Sequence, residues 1–303
     1  MLDTLPGGIY PPLPTFFDDH EELDLITLRR HMEQLAHSGI AGYVLMGTNG
    51  EAVHLSDDER AQVIMTARET VTQLGITTPI IAGCGAQSTR TTIEHCRQAA
   101  RHGADVALVL PPFYYRGRMD NQALIAHYRT VADNSPLPML LYNMPGSTAG
   151  LDLDAATIRI LAEHPRIIGV KDSAGNIAKL SEIIANVPSS FRVFAGNAGF
   201  LLPALAVGAV GTVSALANIY PRATCRVQTL FEEGQLEAAR ALQARIIPPN
   251  AAVTTKYSVP GLKAALELVA GYGGRPRQPL LPLTEAERAK LAEILHIAHL
   301  EEI

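Results

Sequence analysis

One lysine in this chain ends an apolar run. The sequence holds 20 arginines but only five lysines, Lys171, Lys179, Lys256, Lys263 and Lys290. Four of these fall in helix-like or loop-like stretches, whereas Lys171 directly follows Ile167-Ile168-Gly169-Val170. A free lysine amine has a pKa of ~10.4, and bringing it near neutrality takes about 4 kcal/mol, which desolvation at an apolar strand end can supply. The deprotonated amine is then a nucleophile for a carbonyl carbon. The plainer alternative pairs Lys171 with Asp172 or lets it reach solvent. Tyr142 ends a second apolar run, Met139-Leu140-Leu141. A phenol there either shuttles a proton to and from a substrate hydroxyl, as Schiff-base chemistry requires, or packs as a core aromatic with a satisfied hydroxyl. The third component is Gly47-Thr48-Asn49-Gly50-Glu51, a turn of small residues before a helix. Its backbone N–H groups and hydroxyls suit a carboxylate, although an ordinary turn ahead of an Ser56-capped helix reads the same way.

These residues need a frame that brings strand ends together. Short apolar runs alternate with amphipathic stretches over the first two thirds of the chain. The runs are 43–46, 79–82, 106–110, 139–142, 167–170, 191–194 and 211–213, with an eighth expected near Ile9 to Thr15. Near-continuous apolar runs mark strands covered on both faces of a parallel sheet. Helix patterns lie between them, over 57–71, 89–102, 121–133, 152–163 and 177–186, the first opened by Ser56 with Glu59 as capping-box partner. Eight such units in roughly 230 residues match the ~250 of an α/β (β/α)₈ TIM barrel. An open doubly wound sheet would want a glycine-rich phosphate loop, which Gly83-Cys84-Gly85-Ala86 does not complete. After Pro221 helix patterns run to the end, at 223–233, 236–247, 262–270 and 285–300. The expected organisation is a catalytic barrel over 1–220 and a C-terminal helical extension over 221–303.

A barrel puts its site at the C-terminal ends of the strands. The residues expected around a substrate are therefore Gly47, Thr48, Asn49, Ser173, Gly196 and Val213, with Ser147 in the loop after Tyr142. Composition removes other classes. Of 303 residues 47% are apolar and 18% charged, enough for a large core. A net charge of −5 with no basic run argues against a nucleic-acid surface. No apolar run reaches the roughly 18 residues of a membrane span. The segment Met1 to Pro6 carries neither a secretory nor a transit pattern, so a cytoplasmic location is expected. Cys84, Cys96 and Cys225 read as reduced buried thiols. None of the ten histidines stands at a strand end beside a carboxylate at ligand spacing, so no metal is expected; His95, His102 and His127 read as surface or packing residues on helices.

The three motifs together, Gly47-Thr48-Asn49-Gly50-Glu51, Tyr142-Asn143-Met144-Pro145 and Gly169-Val170-Lys171-Asp172-Ser173, resemble the class I pyruvate-dependent aldolase superfamily of dihydrodipicolinate synthase and N-acetylneuraminate lyase. The resemblance covers essentially the whole chain, in order and spacing. It implies a barrel with C-terminal helices and a homotetramer built as a dimer of dimers. It implies that Lys171 forms an imine with pyruvate, with no other cofactor, and that Tyr142 shuttles protons. Thr48 and Asn49 are implied to bind the keto-acid carboxylate or relay protons. Tyr114, in Phe113-Tyr114-Tyr115, matches an aromatic that neighbouring subunits exchange at the site.

Within that superfamily the synthases carry an arginine where this chain has Ser147, and usually Thr-Thr where it has Thr48-Asn49. Other segments resemble the 4-hydroxy-2-oxoglutarate aldolases: 114–119, 195–200, 214–218 and Pro249-Asn250-Ala251-Ala252-Val253. Gly50-Glu51-Ala52-Val53-His54-Leu55-Ser56 looks like the fungal aldolases that split L-threo-3-deoxy-hexulosonate. The expected activity is cleavage of a 2-keto-3-deoxy-4-hydroxy acid to pyruvate plus glyceraldehyde or glyoxylate. The alternatives are a synthase-like or dehydratase outcome, and a non-catalytic keto-acid-binding barrel, which would have no reason to keep both Lys171 and Tyr142. Ser147 either shapes its loop or suits a neutral polyhydroxylated tail. The Asn49 amide and Ser173 hydroxyl are expected on neighbouring strand ends, either adding hydrogen bonds to that tail or holding a small terminal carboxylate.

Overall fold

The computed structural model describes residues 5–300, so the N-terminal reading of Met1 to Thr4 lies outside the described residues. Eight parallel strands follow the apolar runs: β1 (Gly8–Tyr10), β2 (Tyr43–Leu45), β3 (Ile80–Gly83), β4 (Val106–Val109), β5 (Met139–Asn143), β6 (Ile167–Asp172), β7 (Arg192–Ala195) and β8 (Gly211–Val213). They are ordered β1-β8-β7-β6-β5-β4-β3-β2. The ring closes where the chain beyond β1 meets β2. There Pro12 bridges Val44, Leu13 N–H donates to Val44 O at 2.8 Å, and Val44 N–H donates to Pro11 O at 3.1 Å.

Both faces of these strands are covered, which is why the runs are continuous in the sequence. Tyr10, Val44, Ile81, Val106, Leu108, Leu140, Tyr142, Phe194 and Val213 pack in one cluster inside the barrel. Their neighbours Tyr43, Leu45, Ile80, Ala82, Ala107, Val109, Leu141, Val170 and Val193 join a larger cluster with the helices outside. The outer ring comprises α1 (Leu25–Leu35), α2 (Asp57–Gln73), α3 (Thr89–His102), α4 (Asn121–Asn134), α5 (Ala155–Ala162), α6 (Ile177–Asn186), α7 (Leu201–Ala206) and α8 (Pro221–Glu232). The helix expected over 152–163 begins later, at Ala155, because the Asp154 carboxylate caps it through Thr157 N–H. At α2 the Ser56–Glu59 capping box forms in both directions.

The chain continues through α9 (Leu236–Ala251), a π-helical turn over 252–256, α10 (Ser258–Ala270) and α11 (Glu285–Ala298). The π turn follows Pro248 and Pro249, whose missing N–H groups disturb the α-helical ladder. Buried His31 ties α1 to this region, with Nδ1 2.9 Å from the Tyr272 hydroxyl and Nε2 3.0 Å from Asn218 Oδ1; burial pushes its pKa down to about 4. All three cysteines are free; Cys84 and Cys96 are buried and Cys225 is half-buried. Among the described residues no helix is long and apolar enough to cross a membrane.

Candidate active site

The last inward positions of β5 and β6 carry Tyr142 and Lys171, which are register partners. Each is 3% exposed. The Lys171 Nζ stands 3.9 Å from the centroid of the Tyr142 ring, a cation–π distance. The Tyr142 hydroxyl lies 3.1 Å from Thr48 Oγ1, so the turn after β2 reaches across the mouth to β5. On the other side of Lys171 its partner in β7 is Phe194, fully buried, with Tyr10 edge-on to it at 5.5 Å. Lys171 thus sits on an aromatic floor. The alternative in which Lys171 pairs with Asp172 is not what forms: the Asp172 carboxylate points to the other face of β6, 2.9 Å from Lys179 Nζ.

The turn 47–51 is internally bonded. Gly50 N–H donates to Gly47 O at 3.1 Å and Glu51 N–H to Thr48 O at 3.2 Å. Glu51 adopts left-handed backbone (φ 51°), and its buried carboxylate lies 2.7 Å from Lys263 Nζ of α10. It also accepts the Arg277 backbone N–H at 2.9 Å. The Asn49 Nδ2 is buried without a partner. The expectation that Asn49 and Ser173 occupy neighbouring strand ends is corrected by the strand order. They follow β2 and β6, four strands apart and so on opposite sides of the barrel.

Ser173 lies instead beside Gly196, its hydroxyl 3.4 Å from the Gly196 carbonyl. A Cβ on Gly196 would come within 1.9 Å of the Ser173 Oγ, so only glycine permits that approach. Val213 is a buried wall residue inside the barrel. Thr48, Tyr142 and Ser147 line one cavity of about 570 Å³, together with Gly47 and the apolar side chains Leu108, Leu110 and Phe113. Tyr114 is not brought to this cavity. Its ring is 75% exposed and packs edge-on against Tyr115, itself 71% exposed, with centroids 5.1 Å apart.

With a lysine and a tyrosine paired in register at the mouth of a parallel barrel, likeness to known proteins becomes informative. The model of the dihydrodipicolinate synthetase family matches residues 5–298. The chain belongs to that family. Curated relatives include a protein named probable 4-hydroxy-2-oxoglutarate aldolase, mitochondrial, from Emericella nidulans, 42% identical over 94% of this chain and 93% of that one. An L-threo-3-deoxy-hexylosonate aldolase from Hypocrea jecorina is 38% identical over 96% and 95%. Among solved structures, a prophage protein of the dihydrodipicolinic acid synthase family from E. coli, in complex with pyruvate, superposes with TM-score 0.90 at 29% identity, covering 97% of this chain and 99% of that one. The protein is therefore an enzyme, a lyase of the dihydrodipicolinate synthetase family.

In this family member the placement of several polar groups near the site was not foreseen from the sequence. Arg60, 4% exposed, lines the cavity and donates to the Gly83 carbonyl. His95 also lines it, held between Cys84 O and Asp57 Oδ1 at 3.2 Å each; burial and the Arg60 charge hold its pKa below the usual histidine range. His127, read as surface or packing, is buried against Thr89 Oγ1 at 2.9 Å. Asn250, beside the π turn, donates to Asn197 Oδ1 at 2.6 Å and so reaches the loop after β7. Behind Lys171 and Tyr142 buried Asn143, Asp172 and Lys179 form a cluster that the half-exposed Asp152 closes. Strand alternation was the available signal for the cluster: the residue after an inward lysine must face outward. Among the described residues no group of three or more His, Cys, Asp or Glu is placed to hold a metal ion.

Proposed function

We propose that this lyase is a class I aldolase that cleaves a 2-keto-3-deoxy-4-hydroxy acid reversibly to pyruvate and an aldehyde. The observation that carries the reading is the pairing of Lys171 with Tyr142, the amine 3.9 Å above the ring and the phenol 3.1 Å from Thr48. Lys171 Nζ attacks C2 of the keto acid, and loss of water gives an imine whose protonated form is an electron sink. Tyr142 takes the proton of the C4 hydroxyl as the C3–C4 bond breaks, and the aldehyde leaves. The bonding pair enters the enamine, which is reprotonated at C3; water then hydrolyses the imine, releasing pyruvate and the amine. No other cofactor enters this scheme. Thr48 and Asn49 offer backbone N–H groups to the substrate carboxylate, and the Thr48 hydroxyl extends the proton path from Tyr142.

The relatives' names favour L-threo-3-deoxy-hexulosonate or 4-hydroxy-2-oxoglutarate as substrate, giving glyceraldehyde or glyoxylate beside pyruvate. Ser147 on the cavity wall supports a hydroxylated tail: it offers one hydroxyl where an arginine would present a planar pair of donors to a carboxylate. Gly47, Ser173, Gly196 and Val213 frame the remaining mouth. Tyr114 we assign to the site of a neighbouring subunit in a homotetramer, since its ring is largely exposed and lies away from the cavity of its own chain. Residence in the cytoplasm is part of this proposal; one relative's name says mitochondrial, and cell fractionation separates the two.

The test is borohydride reduction in the presence of pyruvate, followed by peptide mass analysis. The pyruvate-derived mass should appear on the peptide holding Lys171, and a label on Lys179 or Lys256 instead overturns the assignment. The same preparation is assayed for kcat/KM on L-threo-3-deoxy-hexulosonate, 4-hydroxy-2-oxoglutarate and, in the condensation direction, aspartate semialdehyde. Preference for aspartate semialdehyde would overturn the substrate class while leaving the Lys171 chemistry standing.

A further inference from the structure

One step beyond Tyr142 and Lys171, the two strands present a second register pair, Asn143 and Asp172, facing outward. Both are fully buried. Asn143 Nδ2 donates to Asp172 Oδ2 at 2.8 Å and to Asp152 Oδ1 at 2.6 Å, while its Oδ1 accepts the Leu153 N–H at 2.9 Å. Asp172 Oδ1 accepts the Ala174 N–H at 2.9 Å. Lys179, on the first turn of α6 and 9% exposed, closes the cluster from outside the barrel. Its Nζ lies 2.6 Å from Asp152 Oδ1, 2.9 Å from Asp172 Oδ2 and 3.4 Å from Leu153 O.

A carboxylate buried to this degree requires a cation. Lys171 is adjacent to Asp172 in the chain but faces the barrel interior, and the fold gives the carboxylate Lys179 instead. Were Lys179 absent, Asp172 would keep only Asn143 Nδ2 and the Ala174 N–H, and its uncompensated charge would favour rearrangement of the strand end that carries Lys171. The cluster also bolts β5 to β6 at the step where Tyr142 and Lys171 must stay abreast, and displacement by ~1 Å of a reacting group can cost 10²-fold in rate.

We infer that Lys179 is a positioning residue for the reaction: by occupying Asp172 and Asp152 behind the strand ends, it keeps Lys171 and Tyr142 turned into the barrel mouth. This rests on the reading of Lys171 and Tyr142 as the reacting pair. It is tested in the full chain with Lys179→Met, Lys179→Arg and, at the half-exposed end of the cluster, Asp152→Asn. The readouts are kcat, KM and the rate of pyruvate-dependent borohydride trapping, each on protein shown to be folded by circular dichroism. Lys179→Met should lower kcat and trapping rate together by about 10- to 100-fold, with KM changed by less than about threefold, and Lys179→Arg should recover most of the loss. Asp152→Asn should lower both rates in the same sense by a smaller factor, and it carries the test if Lys179→Met does not fold. Wild-type kcat and trapping in Lys179→Met, or in Asp152→Asn where that variant carries the test, overturn the inference; so does Lys179→Arg as impaired as Lys179→Met. Failure of the wild-type protein to trap pyruvate at all overturns instead the imine reading on which the inference stands.

Discussion

Tyr142 spends its hydroxyl on Thr48 rather than on a backbone carbonyl, and that choice leaves the proton mobile. A hydroxyl–hydroxyl pair at 3.1 Å can reverse donor and acceptor, whereas a bond to a carbonyl would fix the phenol as donor. Tyr142→Phe should therefore lower kcat for cleavage by about 10²–10⁴, the usual worth of a positioned acid–base group, while pyruvate trapping at Lys171 persists. Unchanged cleavage in that variant would assign the proton to another group, and steady-state kinetics with parallel trapping separates the outcomes. Lys171 and Tyr142 were legible because a lysine or a tyrosine that ends an apolar run must lie at a strand end. What Asn49 and Ser173 face was not, because which strands stand opposite each other depends on closure of the ring, and no local spacing encodes that. The Lys179 cluster was hidden for a similar reason: its members come from β5, β6, α6 and the loop before α5, and two carboxylates meet one ammonium only after folding.

At the scale of elements, β6 contains the device that aims Lys171. Met139 pairs with Ile167, but the next partners are Leu140 and Gly169, so Ile168 is an extra residue and the ladder slips by one. Ile168 packs with the interior cluster and Val170 with the exterior one, so the bulge resets the alternation. Without it, Lys171 would point toward the helices and Tyr142 would stand opposite Val170, since a one-residue slip exchanges the faces of a strand. Gly169 makes the bulge possible, because a Cβ there would lie 2.2 Å from the Arg192 carbonyl oxygen and 2.8 Å from Leu140 Cδ2. Gly169→Ala should lower stability by about 1–3 kcal/mol and reduce kcat more than it reduces the folded fraction, measured by urea unfolding beside kinetics. A variant with full activity would show that the backbone can give without moving the lysine. The eight strands could be read from apolar runs because both of their faces are buried. The bulge could not, since an apolar run broken by glycine looks the same whether or not the alternation is reset.

For the whole molecule, the C-terminal helices do more than cover the barrel. Lys263 of α10, fully buried, holds Glu51 in the turn that carries Thr48, and burial pulls its pKa down while the Glu51 charge opposes that fall. Arg277 adds its backbone N–H to Glu51 and its guanidinium to Glu59 of α2 at 2.6 Å. Lys263→Met strands a buried carboxylate and should cost about 3–5 kcal/mol, whereas the double variant with Glu51→Gln should recover part of that. Urea midpoints of the two variants check this, and equal loss in both would mean that the methionine, not the unpaired charge, does the damage. The closure of the ring has a consequence of a different kind. Where the chain beyond β1 meets β2, Pro11, Pro12 and Pro14 thin the ladder, because a proline has no N–H to donate. A strand arriving from another molecule would find few donors at that seam, and the Ile9, Pro11 and Pro12 carbonyls are already bonded within the fold. The prolines that thin this joint thus also make it a poor template for intermolecular β-pairing, which guards the fold against aggregation where its ring closes.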